Sequence, residues 1–114
     1  MKDDAGRLQD ILEAVQRIEK YADRGRAVFN HDELVQTWIL HHLQIIGEAA
    51  SGISRTLQAR HAEVPWRQII AMRNILVHDY FSVDLDEVWV AVKSDLPGLK
   101  TMIESILRQL ASPP

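Results

Sequence analysis

The stretch from His31 to Ile53 constrains the fold more than any other. Leu34, Val35, Trp38, Ile39, Leu40, Ile45, Ile46, Ala49 and Ala50 spread apolar side chains over most of the circumference of a helix. Such a helix is stable only when neighbours cover it on several sides, which predicts the central member of an all-helical domain. Asn30 is positioned as its N-cap, with Glu33 three residues on and Phe29 and Leu34 spaced as a hydrophobic staple. One polar stripe interrupts the apolar surface: Thr37, His41, Gln44, Glu48 and Ser51 recur at spacings of four, three, four and three, which keeps them on one face. Its plain meaning is a solvated face, and a sharper one makes Glu48 the carboxylate partner of a cation on another helix. Gly47 beside the stripe costs a helix about 1 kcal/mol relative to alanine, which implies close approach of a neighbouring helix.

Helical periodicity runs through the rest of the chain. Leu8, Ile11, Leu12, Val15, Ile18 and Tyr21 define an amphipathic helix from about Asp4 to Ala22, broken by Arg24-Gly25-Arg26. A weaker helical piece covers about Arg55 to Ala62, and Pro65 opens a further helix, proline being tolerated in a first turn. Asp79 to Val83 read as a loop. Asp84 then caps a new helix, with Glu87 three residues on and Val83 and Val88 as its staple. Leu85, Val88, Trp89, Val92 and Leu96 form its apolar face. Pro97-Gly98 are expected to kink it before Leu99, Met102, Ile103, Ile106 and Leu107 carry it to Leu110. Ala111 to Pro114 read as a short disordered tail. With no strand pattern, repeat or long linker, the expected fold is all-α. Residues 1–114 form one domain, an antiparallel bundle of four or five helices with the last long helix kinked near Pro97.

With 114 residues and 46% hydrophobic content, the chain can bury a core of its own. A net charge of −3 provides no global field for nucleic acid, so any RNA contact must be a local patch. The absence of cysteine excludes disulfides, thiolate metal sites and a cysteine nucleophile. No apolar run approaches the roughly 18 residues needed to span a membrane, and Met1-Lys2-Asp3-Asp4 lacks signal-peptide character, so a cytoplasmic protein without membrane contact is expected. The histidines do not suggest a metal. His41 and His42 point about 100° apart on a helix, and neither His-Glu-x-x-His nor a repeated Glu-x-x-His occurs. His31 and His61 sit in polar surroundings and read as surface residues. Gly-rich phosphate loops and serine-nucleophile signatures are absent, so no cofactor is expected.

The chemistry concentrates in Met72-Arg73-Asn74-Ile75-Leu76-Val77-His78-Asp79-Tyr80. At about 100° per residue, Trp66, Ile69, Leu76 and Val77 share one arc, and Arg73 falls in its middle. A desolvated guanidinium costs several kcal/mol unless it is paired or faces a wet cleft. Arg67, Asn74 and His78 form a separate polar arc. Arg73 and His78 therefore point in different directions on one helix. They serve a common site only if the helix ends near His78 or a second copy of the chain supplies the complement. The plain alternatives are a paired arginine, a histidine in a last turn favoured by the helix dipole, and a packing role for Tyr80. Apolar positions surround more than half of this helix, and a homodimer is the economical way to cover them.

Arg73, four residues, His78, one residue, Tyr80 resembles the Arg-x4-His-x-Tyr signature of the HEPN superfamily, specifically of HepT toxins encoded beside a minimal nucleotidyltransferase antitoxin. Ile46-Gly47-Glu48-Ala49, Trp66-Arg67-Gln68-Ile69, and the segment from Val83-Asp84 to Asp95-Leu96-Pro97 extend the resemblance in the same order over nearly the whole chain. The resemblance implies a HEPN bundle acting as a homodimer, with Arg73 and His78 of both subunits meeting in an interface cleft. The implied activity is metal-independent endoribonuclease cleavage of an RNA such as tRNA or mRNA, by the toxin of a type VII-like toxin–antitoxin pair. Arg73 and His78 would be catalytic, Asn74, Asp79 and Glu48 supporting, and Tyr80 the residue on which AMP transfer by the antitoxin neutralises the toxin. The competing expectation is a non-catalytic nucleotide- or partner-binding subunit of a nucleotidyltransferase.

Overall fold

The computed structural model describes residues 2–112, without the side chain of Phe81. Helix α1 covers Asp4–Ala22, as its periodicity predicts, and the Asp3 carboxylate caps it by accepting from the Gly6 N–H at 2.8 Å. Leu8, Ile11, Val15 and Ile18 are completely buried. Gly25 ends this first hairpin arm with φ 99°, a left-handed conformation that costs glycine nothing.

The next start differs from expectation. Arg26–His31 form a short helix, α2, so Asn30 lies inside it and caps nothing. Asp32 caps the central helix α3, Glu33–Ser51, accepting from the N–H groups of Leu34 and Val35 at 2.9 and 3.3 Å. A carboxylate placed one residue before the first helical turn outcompetes the asparagine two residues upstream. The Gln36 side-chain amide donates to the carbonyls of Phe29 and Asn30 and closes the end of α2. The staple does not form either. Phe29 is fully buried against Trp89, with ring centroids 5.2 Å apart, while Leu34 is 82% exposed.

Helix α3 packs on α1 along one side and on α5 along another, and its stripe at Thr37, His41, Glu48 and Ser51 faces solvent. Helix α4, Arg55–Arg60, is capped by Ser54, which the Asp4 carboxylate grips through both its N–H and its hydroxyl. Helix α5, Trp66–His78, follows Pro65 and leads into a 3₁₀ turn at Tyr80–Ser82. Asp84 caps α6, Leu85–Val90, as predicted, and α7 runs from Leu96 to Ala111 against α1.

Where a kink was expected at Pro97, the chain instead stays helical and passes through a π turn at Ala91–Asp95, with Pro97 in the first turn of α7. Proline has no N–H to donate to the carbonyl four residues back and its ring crowds that carbonyl. Widening the preceding turn accommodates both facts without interrupting the helix. The expected tail is shorter than predicted, because Ala111 is helical and the Ser112 N–H bonds to Arg108 and Gln109; Pro113 and Pro114 lie outside the described residues. Among the described residues the fold is all-α, with no strand and no helix long and apolar enough to cross a membrane.

Candidate active site

Helix α5 carries most of the candidate residues and touches α3 where α3 has Gly47. A Cβ at Gly47 would overlap the Cβ of Arg73, lie 2.9 Å from its Cγ and 3.1 Å from the Ile69 carbonyl oxygen. The arginine on an apolar arc is thereby explained within one chain. Its aliphatic stem crosses the bare backbone of α3 where a larger residue would not fit, and its head emerges at the edge of the helix pair. One guanidinium Nη lies 3.6 Å from Glu48 Oε1, and the other donates to Asn74 Oδ1 at 3.1 Å. Its Nε is buried and has no partner. The Glu48 partner anticipated from the stripe is therefore beside Arg73, but at ion-pair rather than hydrogen-bond distance and half exposed. Such pairs contribute about 0–1 kcal/mol. The guanidinium is held without being saturated.

His78 is the last residue of α5, and its exposed ring makes no hydrogen bond or ion pair among the described residues. It lies five positions after Arg73, a rotation of about 140° and an advance of about 7.5 Å. Asn74 bridges part of that gap, lying one turn before His78 on the same face while holding Arg73 through its Oδ1. Asp79 ends the helix, donating its N–H to the Ile75 carbonyl at 2.8 Å and accepting from the Ser82 N–H at 3.1 Å. No hydrogen bond joins its carboxylate to His78. Tyr80, in the 3₁₀ turn, is 44% exposed two residues from His78.

The apolar arc of α5 is only partly covered. Trp66, Ile69 and Leu76 are buried, whereas Val77 is 40% exposed and Ile75 56% exposed. Two apolar grooves of about 460 and 500 Å³ separate α5 from the α6–α7 run, with Met72 and Leu43 lining both. α3 shields one side of α5 and leaves this one open.

One histidine differs from its sequence reading, and a second has a role that the sequence did not disclose. His61 was expected at the surface, yet its side chain is 14% exposed and lies 3.4 Å from Glu63, because the Trp66 indole donates to the His61 carbonyl and folds the loop inward. His42 is buried in the core, its Nδ1 2.7 Å from the Trp38 carbonyl and its ring 4.4 Å from the Trp38 ring. Burial pushes its pKa below the ordinary histidine value, with the Trp38 bond opposing. Its i,i+4 spacing from Trp38 was the available sign of this pairing.

Comparison with known proteins agrees with the geometry. The family described as ribonuclease HepT-like matches residues 11–106. The chain is 38% identical to a probable ribonuclease HepT of Thermococcus cleftensis over 87% of this chain and 91% of that one. It is 32% identical to a putative RNase of Methanocaldococcus jannaschii over 87% and 92% of the two chains. The tri-AMPylated HEPN toxin of Shewanella oneidensis, solved in complex with its MNT antitoxin, shares the fold with a TM-score of 0.69 and 24% identity, covering 93% of this chain and 98% of that one. With the family matched over residues 11–106 and a relative 38% identical along most of both chains, the chain belongs to the HepT-like ribonuclease family.

Proposed function

We propose that this protein is a metal-independent endoribonuclease, the toxin of a pair with a nucleotidyltransferase antitoxin, working in the cytoplasm as a homodimer. The observation that carries the reading is Arg73. Its stem is locked over Gly47 and its head, at the edge of the helix pair, is tethered loosely by Glu48 and Asn74. A phosphodiester offers two oxygens to such a fork and displaces a carboxylate held at 3.6 Å. The exposed apolar side chains of Ile75, which lines an apolar groove, and of Val77 on the same helix support pairing with a second copy.

In this reading the 2′-hydroxyl of RNA attacks the adjacent phosphorus. The new P–O2′ bond forms as the P–O5′ bond breaks, leaving a 2′,3′-cyclic phosphate and a free 5′-hydroxyl. One His78 removes the 2′-hydroxyl proton, the other protonates the departing 5′-oxygen, and Arg73 stabilises the charge on the phosphoryl oxygens. An exposed imidazole at the end of α5 can make either proton transfer, and a two-fold dimer supplies both. Transfer of AMP to the Tyr80 hydroxyl, two residues from His78, places negative charge and bulk beside the cleft and repels RNA.

The test is incubation of the purified chain with mixed cellular RNA in EDTA, beside Arg73→Ala and His78→Asn. Discrete fragments from the wild type alone are expected, and a matched DNA strand stays intact. Loss of cleavage in His78→Asn with RNA binding retained separates catalysis from binding. Intact RNA from a wild type shown by mass to be unmodified at Tyr80 replaces this reading with a binding subunit of a nucleotidyltransferase. Coexpression with the antitoxin adds AMP masses to the wild type and none to Tyr80→Phe.

A further inference from the structure

The polar arc of α5 contains one residue that the catalytic reading does not use. Arg67 lies eleven residues before His78, which places the two within about 20° on the same stripe and about 16 Å apart along the axis, with Asn74 between them. Arg67 is exposed and makes no ion pair among the described residues. Beside it an open cleft of about 680 Å³ runs between α4 and the start of α5, and on its far wall stands Arg55, exposed and equally without an ion pair. The chain has 16 acidic against 13 basic side chains, so two neighbouring unpaired arginines do not reflect a shortage of carboxylates. The one carboxylate in the cleft, Glu63, faces His61 Nδ1 at 3.4 Å.

We propose that Arg67 and Arg55 form a phosphate-binding subsite for single-stranded RNA, holding the strand that runs along α5 away from the scissile bond at Arg73 and His78. This rests on the ribonuclease reading and adds its substrate path. The subsite reads backbone rather than bases. Trp66, the aromatic residue in the cleft, is 6% exposed and its indole N–H is committed to the His61 carbonyl, so it offers no stacking face. Gln58 is likewise occupied, its amide donating to the carbonyls of Ala50 and Ile53. Arginine forks on phosphate oxygens give contacts that carry no sequence information. The pair also supplies a local positive patch on a chain whose net charge is −3.

The experiment measures binding of a labelled single-stranded oligoribonucleotide to the full chain carrying His78→Ala, in EDTA, across a salt series. Arg67→Ala and Arg55→Ala in that background each flatten the slope of log K against log salt by about 0.7, the value for one phosphate contact on a single strand. Arg108→Ala, an exposed arginine on α7, removes the same charge and leaves the slope unchanged. With His78 restored, Arg67→Ala raises KM on the long strand at constant kcat and leaves cleavage of a dinucleotide unaltered, because that substrate does not reach the subsite. Slopes for Arg67→Ala and Arg55→Ala that match Arg108→Ala overturn the subsite while leaving the nuclease reading intact. An Arg67-dependent slope in a protein whose wild type cuts no RNA supports the subsite and removes the nuclease reading.

Discussion

Replacing Gly47 by alanine tests the geometry on which the site depends. The added Cβ would overlap Arg73 Cβ and sit 2.9 Å from Cγ and 3.1 Å from the Ile69 carbonyl oxygen. Backbone-proximal atoms cannot swing aside as a side-chain tip does. Restoring ordinary carbon contacts of about 3.5–4.0 Å therefore requires α3 and α5 to part or rotate by more than roughly 1 Å. Overpacking of this kind costs about 1–3 kcal/mol, and the better helix propensity of alanine returns about 1 kcal/mol. The net is a loss of about 0–2 kcal/mol, a fall in Tm of up to roughly 10 °C for a domain of this size. The protein stays folded, but Arg73 moves, and a catalytic group misplaced by about 1 Å costs about 10²-fold in rate. Thermal unfolding by circular dichroism and single-turnover RNA cleavage read the two effects separately. Wild-type kcat together with an unchanged or raised Tm would refute the claim that the close approach at Gly47 positions Arg73.

Other substitutions give contrasting outcomes. Gly98→Ala, in α7 with open space where the Cβ would go, raises stability by about 0.5–1 kcal/mol, measurable as a higher Tm. Glu48→Gln changes stability by less than about 1 kcal/mol because the pair is half exposed. It lowers KM for RNA by freeing the guanidinium from a competing carboxylate, whereas a fall in kcat would make Glu48 an orienting group instead. His42 is held below the ordinary histidine pKa by burial, so the unfolded chain takes up its proton first. Its contribution to stability is present above the unfolded value of about 6.5 and is lost as pH falls below it. Urea unfolding at pH 7.5 and 5.5 should therefore show a smaller loss in His42→Gln than in the wild type.

Much of this protein was legible before any fold was known. The bounds of α1, the cap at Asp84 and the break at Gly25 follow from short-range rules, because a cap or a left-handed residue acts on backbone groups within a few residues of itself. Gly47 announced a close contact because an interior glycine has a local cost that only a neighbour offsets. Even the start of α3 was displaced by only two residues, an error of choosing between Asn30 and Asp32, two side chains with capping oxygens that flank His31.

What periodicity could not decide was which apolar face gets covered. Leu34 and Val77 lie on helical arcs as apolar as those of Phe29 and Leu76, yet the first two are exposed and the last two buried. A repeat of three and four residues identifies a face, whereas burial depends on which helix arrives there, and that is settled by contacts between residues far apart in the chain. The same holds for Arg73. Its place on an apolar arc was visible in the sequence; that Arg73 meets a glycine there, so that the stem is buried while the head stays available, was decided only by how α5 lies across α3.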